Sequence, residues 1–174
     1  LLVALLRGSF EYQGQKCSAA SRAYIPSSVW DSIGDELCSE VGKIGMGDAR
    51  DFSNFMTAVI DQRAFDKISG YIERAKGDES CEVVAGGGSD DSTGWFIEPT
   101  IIVTSDPVSE TMCEEIFGPV LTVYVYEDED FEGALEMCDK GSPYALTGSI
   151  FANKEEDVQR AFEALRFAAG NFYI

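Results

Sequence analysis

The sequence contains no histidine. That absence removes the Ser-His-Asp triad, the Cys-His dyad and every imidazole metal site from the chemistry these residues can build. Basic residues are scarce as well: 13 Lys and Arg face 31 Asp and Glu, a formal net charge of −18 at pH 7. A surface of that sign repels a phosphate backbone, so nucleic acid is not expected as a partner. Long apolar runs are also lacking. The opening LLVALL is apolar for six residues before Arg7, far below the roughly 20 needed to span a bilayer and short for a signal-peptide core. No membrane partner and no targeting segment are expected, and so abrupt a start is read as a sign that a leader or a whole domain precedes these residues. The five cysteines, Cys17, Cys38, Cys81, Cys113 and Cys138, are an odd set without a Cys-x-x-Cys pair. A disulfide framework and a zinc ribbon are therefore excluded, no metal site is expected, and a reducing compartment fits best.

What is present is ordinary globular material. With 174 residues, 45% hydrophobic and 25% charged, the chain reads as one compact domain. Apolar residues recur at helical spacing in four places: Trp30, Ile33, Leu37 and Val41 between Ser28 and Gly42; Phe65, Ile68, Ile72 and Ala75 between Asp61 and Lys76; Phe131, Ala134, Leu135 and Cys138; and Val158, Ala161, Phe162, Leu165 and Ala169. Asn153 followed by Glu156 reads as a capping box for the last of these. Between them lie β-rich runs at Ala23 to Ile25, Glu82 to Ala85, Ile101 to Thr104, Val120 to Tyr126, Leu146 to Ala152 and a closing NFYI, read as a buried strand. Strands alternating with helices predict an α/β domain with a largely parallel sheet flanked by helices. The GGGSDDSTG stretch at 86–94 reads as an exposed turn.

Several features invite a functional reading and do not sustain one. Gly45-Met46-Gly47 and Gly86-Gly87-Gly88 do not complete a dinucleotide or P-loop fingerprint, so both read as plain turns. The acidic run Glu127 to Asp130 precedes an amphipathic helix, where carboxylates favour the positive N-terminal end, and reads as a solvated helix start. Cys38 and Cys138 fall on apolar stripes as small core residues, and Cys81 adjoins an acidic loop without a cationic neighbour. Cys17 is different. It follows a flexible Gly14-Gln15-Lys16 turn and precedes Ser18, Ala19 and Ala20, a setting that leaves a sulfur accessible beside a positive charge. On residue type alone, nucleophile and small buried residue both stay open. A second candidate is EEIFGPVLTVYVY from Glu114 to Tyr126, where a Phe-Gly-Pro turn can hold an acid and an aromatic ring at the mouth of a strand, the place where α/β proteins seat ligands; a loop with a packed phenylalanine is the alternative.

The segments FEYQGQKCSAASRAYIP, MGDARDFSNFMTAVID, GWFIEPTII, EEIFGPVLTVYVY and AAGNFYI stand in the order found in aldehyde dehydrogenases. From about Gly8 to Ile174 the chain resembles that family, and FEYQGQKCSA with FSNFMTAVID resembles the branch that oxidises glutamate semialdehyde. The resemblance implies that Cys17 is the catalytic nucleophile, that its backbone N–H helps hold the oxyanion, and that NAD is the cofactor. It further implies that Glu115 hydrogen-bonds the nicotinamide ribose, that Phe117 packs near it, and that Ser18 contacts the carboxylate end of the substrate. Residues 1–174 are then one piece of the catalytic domain. The cofactor-binding domain and the general-base glutamate are expected upstream, and a Gly-Ser aldehyde-anchor loop downstream. A homo-oligomer, a dimer, is implied for the parent enzyme, located in the mitochondrial matrix of a eukaryote or otherwise in the cytoplasm. Three rivals remain: a non-catalytic piece with a packing or assembly role, a dehydrogenase for another semialdehyde, and an independent thiol enzyme such as a thioesterase or peroxidase.

Overall fold

The computed structural model describes residues 1–143 and 145–174. In chain order the elements are α1 (Leu2–Phe10), β1 (Arg22–Pro26), α2 (Ser27–Val41), α3 (Gln62–Lys76), β2 (Cys81–Ala85), β3 (Ser89–Asp90), β4 (Phe96–Ile97), β5 (Thr100–Thr104), α4 (Glu110–Cys113), β6 (Val120–Tyr126), α5 (Phe131–Lys140), β7 (Thr147–Ser149), α6 (Glu155–Ala164) and β8 (Asn171–Tyr173). The main sheet runs β1-β6-β5-β2, with β1, β6 and β5 parallel and β2 antiparallel at the edge. The predicted α/β class with a largely parallel sheet is what forms.

Alternation along the central strands assigns the two faces. Ile101, Leu121 and Val123 point to one side, where Leu5 and Phe10 of α1 and Leu37 and Val41 of α2 close over them. Ile102 and Val120 point to the other, under the Phe65, Ile68, Ile72 and Ala75 stripe of α3. Both helix stripes were legible from spacing. Strands buried on both faces are what a parallel sheet demands. Asp61 caps α3 through a side-chain oxygen that accepts from the Ala64 N–H at 2.8 Å.

Two expectations need correction, and two are met with additions. The capping box does not form: Lys154 is the N-cap of α6, no side chain caps it, and Glu155, Glu156 and Asp157 occupy its first turn instead. Three carboxylates against the positive helix end supply the favourable electrostatics without a cap. The NFYI segment pairs with β7 in a separate parallel pair, and Tyr173 and Ile174 are 60% and 71% exposed rather than buried. Residues 86–94 are exposed at Gly86 and from Ser89 to Thr93, as expected, but Gly87 is buried; Gly86 and Gly87 take positive φ, and a β carbon on Gly86 would lie 2.1 Å from the Pro99 carbonyl oxygen. From there the segment enters the short β3–β4 hairpin.

The acidic run is a solvated helix start, as expected: residues 127–130 are exposed and lead directly into α5. Asp128 has a further role: its carboxylate accepts from the Ser28 N–H at 3.0 Å, one of the orphan donors at the start of α2, and from the Ser27 hydroxyl at 3.2 Å. The hydrogen bonds from Ser28, then Ser27, hold its carboxyl below the usual carboxylate range. A depressed folded-state pKa contributes stability above the unfolded value and loses it as pH falls through the folded one. Asp128→Ala is therefore expected to lower the melting temperature at pH 7, with the difference from wild type vanishing in strong acid. Identical melting at pH 7 would remove Asp128 from any capping role.

Candidate active site

Between α1 and β1 the chain makes a 3₁₀ turn over Glu11–Gly14, in which Tyr12 (φ 52°), Gln13 (φ 60°) and Gly14 (φ 65°) lie consecutively in the left-handed region. Among the described residues, only three non-glycine positions have positive φ: Tyr12, Gln13 and Phe117. Such backbone costs on the order of 1–2 kcal/mol per residue and persists only where its surroundings impose it. The impositions are visible. Gln13 Oε1 accepts from the Thr57 N–H at 3.1 Å, Gln15 Oε1 accepts from the Ile60 N–H at 2.9 Å, and the Ala20 N–H donates to the Gly8 carbonyl at 3.0 Å. The turn expected to be flexible is thus tied down, with Cys17 and Ser18 exposed at its tip.

The charge beside the thiol also differs from expectation. Lys16 Nζ bonds Glu11 Oε2 at 3.1 Å, and Glu11 pairs with Arg7 as well. The hydrogen bond from Lys16 is the main cause holding the Glu11 carboxyl below its usual range. The lysine is compensated, so exposure rather than a local cation distinguishes Cys17. Burial pushes the thiols of Cys38, Cys113 and Cys138 up, Cys81 Sγ leans on Thr104 Oγ1 at 3.6 Å, and Cys17 is the exposed cysteine.

The second loop runs from α4 into β6. Its buried Ile116 pins the middle, while Glu115 and Phe117 on either side are exposed, Phe117 to 38% and with its φ at 61°. Lys67 Nζ, from α3, donates to the Glu115 carbonyl at 2.6 Å. Glycine lets this loop meet the first. A β carbon on Gly14 would stand 2.2 Å from the Gly118 carbonyl oxygen, and Gln15 Nε2 donates to the Phe117 carbonyl at 3.4 Å. The parallel pairing explains the meeting: Arg22 of β1 lies opposite Thr122 of β6, so Cys17 and Phe117 each stand five residues upstream of paired positions. Both loops therefore occupy the amino ends of their strands. The Phe-Gly-Pro turn thus feeds β6 at its mouth, as the order of these residues along the sequence implies.

Cys17, Ser18, Glu115 and Phe117 are thus carried by two touching loops. The backbone N–H of Cys17 makes no hydrogen bond among the described residues, and the Ser18 hydroxyl and Glu115 carboxylate have no partner among them either. Thr147 Oγ1 donates to the Ser18 carbonyl at 3.5 Å, bringing β7 to the same place. Gln15, Lys67 and Thr147 were not singled out in the sequence. Only Gln15 had a local signal, its place inside the Gly-Gln-Lys-Cys motif.

The two glycine loops set aside as phosphate sites border a different feature. Gly47 and Gly88 line a groove of about 830 Å³ that also presents Asp48, Asp90 and Glu98, and none of Cys17, Ser18, Glu115 or Phe117 lines it. Three carboxylates repel a phosphate, which supports reading both loops as turns.

With the geometry in place, comparison with known proteins is direct. The model of the Aldehyde dehydrogenase family matches residues 1–174. A delta-1-pyrroline-5-carboxylate dehydrogenase of Dictyostelium discoideum, named as mitochondrial, is 57% identical over 169 residues, covering 97% of this chain and 30% of that protein. The human protein of the same name is 48% identical over 170 residues, covering 97% and 30%. The crystal structure of the Mycobacterium tuberculosis delta-pyrroline-5-carboxylate dehydrogenase bound with NAD superposes with a TM-score of 0.92 at 50% identity, covering 99% of this chain and 31% of that one. The chain spans about a third of the length of these relatives. From its match over every residue, its fold and its two-loop site, this chain belongs to the aldehyde dehydrogenase family.

Proposed function

We propose that this chain carries the nucleophile loop and the cofactor-ribose loop of a longer enzyme, an NAD-dependent dehydrogenase that oxidises L-glutamate γ-semialdehyde, from 1-pyrroline-5-carboxylate, to L-glutamate in proline catabolism. One observation carries the reading: the three strained non-glycine residues fall in two loops about a hundred positions apart that touch through Gly14 and Gly118. Strain concentrated where two segments converge is characteristic of a working site. The names of the relatives supply the substrate and the bound NAD.

Cys17 acts as its thiolate, whose sulfur forms a bond to the aldehyde carbon while the carbonyl electron pair moves onto oxygen. The unused N–H of Cys17 stabilises that oxyanion. An exposed carboxylate next to an exposed aromatic ring suits a ribose and a nicotinamide: Glu115 accepts hydrogen bonds from the ribose hydroxyls, and Phe117 packs beside the ring. NAD, when bound, would supply the hydride acceptor needed for the Cys17 adduct to be oxidised to a thioester. Water then attacks the thioester carbon, the C–S bond breaks, the product carboxylate leaves and the Cys17 thiol is restored. Ser18 donates a hydrogen bond to the far carboxylate of the substrate. The same reading makes the enzyme a homodimer, in the mitochondrial matrix of a eukaryote or otherwise in the cytoplasm.

The test is an assay of the full-length polypeptide with NAD against a panel of aldehydes. Glutamate semialdehyde is expected to give the highest kcat/KM; a preference for an uncharged aldehyde would overturn the substrate, and no NADH with any aldehyde would overturn the activity. Ser18→Ala sharpens the substrate assignment. A hydrogen bond to a charged group is worth about 1.5–3 kcal/mol, so the loss toward glutamate semialdehyde is expected to be about ten- to hundredfold. An uncharged aldehyde of similar length should lose much less. Equal losses on both would mean that Ser18 serves only to place Cys17.

A further inference from the structure

We infer that Gln15 is a positioning residue of this reaction, whose side-chain amide sets the Phe117 loop against the nucleophile loop. The inference rests on the reading of Cys17, Glu115 and Phe117 given above. One end of the amide meets the Ile60 N–H at 2.9 Å and the other the Phe117 carbonyl at 3.4 Å, at the long end of the hydrogen-bonding range. A backbone N–H can only donate and a carbonyl can only accept, so the oxygen must face Ile60 and the nitrogen Phe117. The orientation follows from the partners. The demand also fixes the residue type: Glu offers acceptors alone, Lys donors alone, Met neither, and Asn falls a methylene short.

The position of these partners gives the amide its effect. Ile60 immediately precedes Asp61, the cap of α3, and α3 supplies Lys67, which holds the Glu115 carbonyl at 2.6 Å. The Glu115 and Phe117 carbonyls, on either side of buried Ile116, are thus held from two sources, Lys67 on the helix and Gln15 on the nucleophile loop. Phe117 keeps its strained φ of 61° between them. Gln15 stands two residues before Cys17, so this amide ties the Phe117 loop to the segment that carries the sulfur, beside the Gly14–Gly118 contact. Removing the tie should leave the Lys67 anchor in place and loosen the relation between the two loops rather than the loops themselves.

Two variants of the full-length enzyme separate the two ends. Gln15→Glu keeps the acceptor for Ile60 and loses the donor to Phe117; Gln15→Met loses both. Both are expected to slow single-turnover hydride transfer about tenfold while the KM for NAD changes less than about threefold, the pattern of misplaced reacting groups rather than lost binding. Amide hydrogen exchange should rise in residues 114–120 in both, whereas the Ile60 amide should keep its protection in Gln15→Glu and lose it in Gln15→Met. Unchanged exchange over 114–120 in both variants would overturn the inference, as would wild-type hydride transfer in Gln15→Met, since slowing by Gln15→Glu alone would then reflect repulsion from the new charge. If Gln15→Met fails to fold, Gln15→Glu decides alone: an unchanged exchange or transfer rate overturns the inference. If the wild-type enzyme forms no NADH, the dehydrogenase reading fails with it, and unchanged exchange over 114–120 would in addition show that Gln15 does not tie the loops.

Discussion

Cys17→Ala in the full-length enzyme is expected to remove aldehyde-dependent NADH formation, a fall of at least about 10⁴-fold in turnover, while NAD binding persists. The size follows from the loss of the covalent route, for which no other thiol is placed to substitute. Cys38 packs against the core under α2, Cys138 against the small cluster between α5 and α6, and burial pushes both thiols up, away from the thiolate form. Cys17→Ser should be nearly as inactive, because a serine hydroxyl is far less acidic and a far weaker nucleophile than a cysteine thiol. Iodoacetamide provides an independent readout: at limiting reagent, peptide mapping should find the label on exposed Cys17 before Cys38, Cys113 or Cys138. Turnover within tenfold of wild type in Cys17→Ala, or first labelling at Cys138, would dismiss the nucleophile assignment.

How far the sequence reveals this arrangement depends on the range of the interaction involved. The strand Val120–Tyr126 and the stripe on α3 were readable because burial imposes a period on neighbouring residues. Helix α1 was not read from LLVALLRGSF, since a nearly all-apolar stretch shows no period, and the two-residue strands β3 and β4 are too short to carry one. Asn153 shows the opposite failure: the local pattern of a capping box is present, yet the helix begins after Lys154. Asp128 was legible as a carboxylate near a helix start but not as the cap of α2, a hundred residues back in the chain. The candidate site divides in the same way. Cys17, Ser18, Glu115 and Phe117 sit in short motifs and could be named from them, whereas the contacts of Gln15 with Phe117 and of Lys67 with Glu115 span 102 and 48 positions. Sequence order places each motif ahead of its strand, but only the register of β1 against β6 shows that the two loops stand level with one another.

The glycine before the nucleophile is where local and long-range demands coincide, and Gly14→Ala should be the most damaging single methyl group in the site. At φ 65° an alanine costs about 1–2 kcal/mol in backbone strain. Its β carbon would also stand 2.2 Å from the Gly118 carbonyl oxygen and 2.8 Å from that of Ser9, and overpacking of this kind costs about 1–3 kcal/mol more. Both obstacles are main chain, so no rotamer change relieves them; the two loops must part. The expected result is a loss of about 2–5 kcal/mol in denaturant unfolding, with hydride transfer slowed beyond what Gln15→Met produces. Gly118→Ala offers the comparison. Its β carbon would meet the Ile68 side chain at 2.6–2.8 Å, without a left-handed φ. That clash can be relieved by shortening the partner, so Gly118→Ala with Ile68→Ala should be less destabilised than the two single losses added together. No truncation of a side chain should rescue Gly14→Ala in the same way, because its obstacles are backbone carbonyls. Wild-type unfolding and hydride transfer in Gly14→Ala would mean that the two loops do not rely on this contact, and the convergence on which the functional reading stands would lose its support.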